Sequence, residues 1–487
     1  MDLTLHQQEM LDGRFGKGKA MAMRIQVAIG DGFRAQRMVP ITRAHVALSA
    51  QEADTWFARK LRDAGAVCAI PPTVNPGYCL KLFEQLGYIN AKSSALMRET
   101  HEVYRDLGAN LTYSCTPYLF GNIPRYRETV AFSETSATVY ANSVLGAKTN
   151  RESSASALCA AITGYVPEYG MLLDENRLGT ILVQVDTPLE DEFDFALLGL
   201  NAKHIGRGVP VFTGIASERV STEDLMALGT QLNVAGVVDL FHMVGVTPDA
   251  SDLSRAFGGH EPEHTVTITR TELDEQRKLL IPASTDRIDF VMLGCPHYTY
   301  RQICRAAALM ERTPPKVPVW ILTSAANTAL AEANGLAQQL ARCGTQLVSD
   351  TCVDEHSCWG HLAGQRGVTD SPKCAYYMRS FGVELAVRDV KTCLEWAGRG
   401  GIEAGSRLFA ATPSHLVMPQ ARPCFPATQC CFTKQISPLA FSANRDMILR
   451  ENASLARSSS FPAVRGVPLY RQTVCTSSIQ QVLLPVD

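Results

Sequence analysis

Phe290-Val291-Met292-Leu293-Gly294-Cys295-Pro296-His297 is the stretch on which the reading of the fold turns. Its first four residues are wholly apolar and then break at a glycine, a cysteine and a proline. A strand buried on both faces of a sheet runs out into a loop in this way. The pattern recurs downstream: residues 317–322 and 346–348 are short apolar runs, residues 325–343 between them have helical periodicity, and Asp350-Thr351-Cys352 follows the second run. Upstream, residues 67–70, 180–185 and 209–213 read as further buried strands, and residues 52–64, 80–86, 94–107 and 222–232 as helices. Alternating strands and helices predict an α/β fold of parallel sheets covered on both faces. Ligands bind beyond the carboxyl ends of such strands, which is where Cys295 and Cys352 stand.

A third cysteine has a similar turn context, Tyr113-Ser114-Cys115-Thr116-Pro117-Tyr118. Three thiolates suit an iron–sulfur cluster in which one iron stays open. Four would saturate it for electron transfer, whereas an open iron is a Lewis acid that can take a substrate hydroxyl. Cys115, Cys295 and Cys352 are therefore candidate cluster ligands. The chain carries 15 cysteines, and free cysteine is commonly a small buried hydrophobe. Cys159, Cys304, Cys343 and Cys393 fall within regular periodicity and read as core. The sequence has no CxxC pair and no zinc-finger spacing.

At 487 residues and 46% hydrophobic, the chain is long enough for two or three domains. A formal net charge of -2 leaves no electrostatic footprint for nucleic acid or an anionic membrane. Residues 1–10 contain Asp2, His6 and Glu9 rather than an apolar signal region, and no uncharged apolar run reaches the about 18 residues of a membrane span. Secretion is not expected. Many cysteines without a secretory signal point to reduced thiols in the cytoplasm or an organelle matrix. From residue 403 to 487 the chain is interrupted by Pro413, Pro419, Pro423, Pro426 and Pro438 and reads as an irregular, poorly ordered tail after a body spanning 1–402.

Between Phe132 and Arg151 small hydroxylated and amide side chains are dense, including Ser136, Asn142 and Ser143, together with one acid, Glu134, and two bases, Lys148 and Arg151. Such a run suits a polar substrate, with Arg151 offering a bidentate fork to a carboxylate; it suits a capped surface helix equally well.

These segments, taken in order, resemble the catalytic part of the aconitase X family. The resemblance rests on the Cys115 motif, the block from Glu134 to Arg151, Ala161-Ile162-Thr163-Gly164 with Pro167 and Tyr169-Gly170, and Asp174 to Arg177. It continues through Phe241-His242 with Gly245-Val246-Thr247-Pro248, Gly294-Cys295-Pro296-His297 and Asp350-Thr351-Cys352. Met10-Leu11-Asp12-Gly13, Ala44-His45-Val46 and Pro72-Thr73 with Asn75-Pro76 extend it, so that it covers residues 9 to 402.

The resemblance implies a hydro-lyase with aconitase-like parallel-sheet domains around an iron–sulfur cluster held by Cys115, Cys295 and Cys352. It implies dehydration of a small hydroxylated carboxylic acid. The favoured substrate is cis-3-hydroxy-L-proline, giving Δ1-pyrroline-2-carboxylate; the alternative is mevalonate 5-phosphate. No phosphate loop of Walker type is visible. His45 and His297 would orient or protonate the departing hydroxyl, and Glu134 would be an acid–base group or its partner. Ser136, Asn142, Ser143, Lys148 and Arg151 would bind substrate.

The family pattern is not matched everywhere. Glu134-Thr135-Ser136 stands where Glu-Ser-Ser or Glu-Ser-Asn is expected, and Arg151-Glu152-Ser153-Ser154 lacks the expected glycines. The segment after Cys352 is unusually polar, making His356 and Cys358 rival ligands. The family's mobile swivel domain, whose serine in a Gly-rich turn looks like the base, has no counterpart after residue 402. The resemblance thus implies a separate small swivel subunit as partner. A non-catalytic cluster protein or a pseudoenzyme is the reading of another class; the hydroxyl-rich block favours an enzyme.

Overall fold

The computed structural model describes residues 1–48, 51–280 and 287–400. The tail expected at 403–487 lies outside the described residues. The apolar run at 290–293 becomes the centre of a five-stranded parallel sheet ordered Thr345–Ser349, Val319–Thr323, Phe290–Tyr298, Arg366–Thr369, Glu384–Val387. Alternate residues of these strands, Val291, Leu293, Val319, Ile321, Leu347, Val368 and Ala386, share one core with Ile303, Ala306 and Met310 of helix Tyr300–Arg312 and Leu394 and Ala397 of helix Val390–Arg399. Both helices begin where the sequence caps them, at a Thr299/Gln302 capping box and at Asp389.

Two more parallel sheets precede this one. Thr73–Asn75, Arg43–Ala47 and Val130–Phe132 form a three-stranded sheet, and His242–Met243, Pro210–Thr213, Ile181–Val185 and His264–Ile268 a four-stranded one. The α/β expectation therefore holds, with parallel strands in three sheets and a short antiparallel pair, Met38–Pro40 with Tyr165–Pro167.

Two elements differ from expectation. Residues 67–70 form no strand, because their backbone donors go to the carbonyls of Leu107 and Ala161 instead of to a neighbouring strand. The helix expected over 325–343 is two helices, Ala325–Ala333 and Leu336–Arg342, broken where Gly335 takes a φ of +74°.

The Cys295 turn is built by a register shift. The step from Leu293 to Tyr298 lies opposite only that from Ile321 to Thr323, so residues 294–297 loop away from the ladder. Gly294 makes this possible: its φ is +97°, and a Cβ there would meet the Leu322 carbonyl oxygen at 2.1 Å. Gly294→Ala is expected to cost at least about 2 kcal/mol by forcing the turn out of that conformation. A thermal midpoint equal to wild type would show that the turn has room the geometry does not reveal.

Candidate active site between two parallel sheets

The carboxyl ends of the three-stranded and five-stranded sheets meet. Asn75 is the last residue of one strand, Glu134 follows another, Cys352 follows Thr345–Ser349, and Lys373 follows Arg366–Thr369. Several hydrogen bonds close the junction. Cys352 N donates to Gly77 O at 3.1 Å, Cys79 N to Thr351 Oγ1 at 2.9 Å, and His297 Nε2 lies 2.9 Å from Thr351 O.

At the centre is a buried ion pair, Lys373 Nζ to Glu134 Oε1 at 3.3 Å. Glu134 is the N-cap residue of helix Thr135–Ser143, where the dipole favours a carboxylate, but its side chain makes no capping bond and turns outward. Its Oε2 accepts from Asn75 Nδ2 at 2.9 Å. Burial alone would push the Glu134 carboxyl up; Lys373, His45 and the Asn75 hydrogen bond more than reverse this and leave it below the usual range. Burial opposes the charge of Lys373, and Glu134 more than restores it, holding the ammonium well above its usual value. Lys373 occupies the first turn of helix Pro372–Met378, capped by Ser371, an end at which the dipole disfavours a cation.

The two histidines flank this pair. Burial pushes each imidazole down to about 4, against the pull of Glu134, so both are neutral at pH 7. His297 Nε2–H donates to the Thr351 carbonyl and Nδ1 has no partner; His45 Nδ1 lies 2.8 Å from Thr73 Oγ1 and Nε2 has none. Thr73 Oγ1 also accepts from Asn122 Nδ2 at 2.8 Å, so the threonine ties His45 to Asn122.

Cys115, Cys295 and Cys352 are all free thiols. Cys295 lies within electrostatic reach of each of the other two, and Lys373 of both Cys115 and Cys295. Burial pushes Cys115 up to about 12 and Cys295 to about 11, and Cys352 well above the usual thiol value. Each sulfur nevertheless faces a donor. His297 N donates to Cys115 Sγ at 3.2 Å, Asp354 N to Cys352 Sγ at 3.5 Å, and the Ser371 hydroxyl bonds Cys295. Donors aimed at sulfur are what thiolate ligands of an iron–sulfur cluster use. Among the described residues no three His, Cys, Asp or Glu side chains converge tightly enough for a single ion. Three cysteine sulfurs, each given a hydrogen-bond donor, are a donor set whose chemistry suits an iron–sulfur cluster.

Other expected residues stand elsewhere. The polar block is neither a surface helix nor free to bind: helix Thr135–Ser143 is wholly buried. Ser136 Oγ donates to Cys115 O at 3.1 Å and so holds the cysteine's backbone. Asn142 is spent on Thr149, the Asp239 carbonyl and Arg177, and Ser143 Oγ accepts from Phe241 N at 2.9 Å. Lys148 pairs with Asp174 at 2.7 Å, and Arg151 is exposed. His356 packs on the Phe381 ring and Cys358 Sγ donates to Glu355 O, so neither joins the three cysteines. Sequence reasoning missed Lys373 and gave Asn75 no role. Ser371-Pro372-Lys373 reads locally as N-cap, first residue and a lysine against the helix dipole, but what sets Lys373 apart from other lysines is Glu134, distant in sequence.

The first, second and third domains of aconitase X match residues 1–175, 179–278 and 288–399. The chain is 34% identical over 404 residues to the phosphomevalonate dehydratase large subunit of Thermococcus kodakarensis, covering 82% of this chain and 100% of that one. It is 33% identical over 421 residues to the cis-3-hydroxy-L-proline dehydratase of Pseudomonas aeruginosa, covering 83% of this chain and 71% of that one. A crystal structure of Thermococcus kodakaraensis aconitase X in its holo-form superposes with a TM-score of 0.73 at 34% identity, over 82% of this chain and 100% of that one. Domain order, relatives and architecture agree: this chain belongs to the aconitase X family, whose matched members are dehydratases.

Proposed function

We propose that the chain is the cluster-bearing part of a dehydratase acting on cis-3-hydroxy-L-proline to give Δ1-pyrroline-2-carboxylate. The observation that carries this reading is the buried Lys373–Glu134 pair beside the cysteines, one cation and one anion. A zwitterionic amino acid matches it charge for charge. A phosphorylated hydroxy acid brings only anions, and such charges buried without counter-ions are costly. Mevalonate 5-phosphate is the second reading, favoured by the full-length match to the Thermococcus large subunit.

Cys115, Cys295 and Cys352 would hold an iron–sulfur cluster, which supplies the Lewis acidity that a departing hydroxyl needs. The chain's own groups then do the rest. Lys373 receives the substrate carboxylate, the role first expected of Arg151, which is exposed. The unpartnered ring nitrogens, His45 Nε2 and His297 Nδ1, orient the hydroxyl; being neutral, the imidazoles hydrogen-bond to it rather than give it a full proton. Ser136 keeps Cys115 in place, and Asn142 and Ser143 brace the helix behind it. The base that takes the α-proton is assigned to a small swivel subunit, a partner consistent with the Thermococcus relative's being a large subunit.

Three outcomes test this. The anaerobically purified chain should contain iron and sulfide, and Cys115→Ala, Cys295→Ala or Cys352→Ala should lose most of both. Turnover of cis-3-hydroxy-L-proline should be at most a trace for the chain alone and appear when a small subunit is added; full turnover by the chain alone would place the base within it. Lys373→Met, which strands Glu134 as a buried unpaired charge, should cost about 3–5 kcal/mol. Adding Glu134→Gln should recover much of that stability but no turnover. Equal thermal midpoints for the single and double variants would show the pair to be uncoupled.

A further inference from the structure

The cysteine turns run through backbone that ordinary residues avoid. Among the described residues five other than glycine have a φ in the left-handed region, and two of these stand two places before a cysteine: Tyr113, at +45°, before Cys115, and Asp350, at +53°, before Cys352. Gly294, at +97°, does the same for Cys295. Aspartate tolerates this conformation, and Asp350 Oδ1 accepts from Ala325 N at 2.8 Å. A tyrosine side chain has no such local compensation. Its left-handed backbone persists only where the surroundings over-determine it.

The surroundings of Tyr113 do this. The residue is buried, and its ring lies 5.0 Å, centroid to centroid, from that of His101. The ring also lies against bare backbone at Gly77, where a Cβ would meet Tyr113 Cδ1 at 2.3 Å and Cγ at 2.8 Å. That glycine's carbonyl accepts from Cys352 N at 3.1 Å, and Cys79 N, two residues on, donates to Thr351 Oγ1 at 2.9 Å. On its other side the Cys352 carbonyl accepts from Trp359 Nε1 at 2.8 Å. One ring therefore stands between the chain leading into Cys115 and the chain that holds Cys352. Its hydroxyl is buried with no partner, so the contact belongs to the ring alone. We infer that Tyr113 is a positioning residue, its ring wedged against Gly77 so that the turns of Cys115 and Cys352 are set relative to each other in the iron-free chain. The inference rests on the reading of these cysteines as cluster ligands. Ligands already in place lose less freedom on binding, so the cluster they hold leaves more slowly.

Two measurements on the full chain test this: hydrogen exchange without iron, and iron release from the loaded chain to bathophenanthroline disulfonate, followed by loss of the cluster's visible absorption. In the iron-free wild type the Cys352 amide should exchange at least about tenfold more slowly than an unstructured amide, because its acceptor is already in place. Tyr113→Leu, which keeps an apolar side chain but not the flat ring, and Gly77→Ala, whose methyl displaces the ring, should each release iron about tenfold faster than wild type. Tyr113→Phe should release it at the wild-type rate. Release from Tyr113→Leu and Gly77→Ala within about twofold of wild type, even with a lowered thermal midpoint, makes the ring mere packing and overturns the inference. Tyr113→Phe as fast as Tyr113→Leu overturns it too, since the hydroxyl would then be the active group. A freely exchanging Cys352 amide in the iron-free wild type overturns it without any variant having to fold. A wild-type chain that takes up neither iron nor sulfide overturns the ligand reading itself.

Discussion

The constraint on which the site depends is the cost of burying Lys373 and Glu134 together. An ion pair taken out of water repays its desolvation only if the remaining donors and acceptors are also met. Here Asn75 meets one carboxylate oxygen and Lys373 the other, while Lys373 also sits 5.7 Å from the Tyr377 ring. The helix end holding Glu134 favours its charge, whereas the helix end holding Lys373 opposes it. That second, unfavourable placement is explained by the site, since the lysine is held where only Glu134 and the cysteines make it tolerable. The pair joins residues 239 positions apart in sequence and so also ties the first sheet to the last.

The same absence of water sets the state of everything around it. Both histidines are kept neutral by burial, which turns them into directional hydrogen-bonding groups with one spent nitrogen each. The thiols are pushed toward their protonated form, and the donors from His297, Asp354 and Ser371 together with Lys373 oppose that push. A cation placed among cysteine sulfurs lowers the penalty of gathering several negative charges in one dry place. Glu134 then prevents that cation from being in excess. The pair itself carries one charge of each sign.

Much of the architecture was legible in the sequence because buried parallel strands announce themselves as short apolar runs. Residues 290–293, 317–322 and 346–348 needed no tertiary information, although the second strand begins only at Val319. Residues 67–70 looked the same and form no strand, because an apolar run records burial and not the partner of its backbone. The break at Gly335 was hidden by apolar periodicity continuing across it. At the site, the cysteines could be named from their turns, whereas the histidines, one of them inside strand Arg43–Ala47, came only with the family resemblance. Lys373 could not be ranked above the other lysines, since what distinguishes it is Glu134, far away in the chain.

The polar block between Phe132 and Arg151 shows why composition misled about binding. It is hydroxyl-rich because helix Thr135–Ser143 is surrounded by backbone groups that take side-chain partners: Thr149 N and O, Asp239 O, Phe241 N and Cys115 O. Each must be paired once it is out of water, and Asn142, Ser143 and Ser136 supply the pairing. Dense small polar residues in an otherwise apolar chain can therefore mark a buried junction between loops, where every group is already spent. By contrast, Asn75 Oδ1, His45 Nε2 and His297 Nδ1 at the junction, like the Tyr113 and Tyr118 hydroxyls, are buried without a partner.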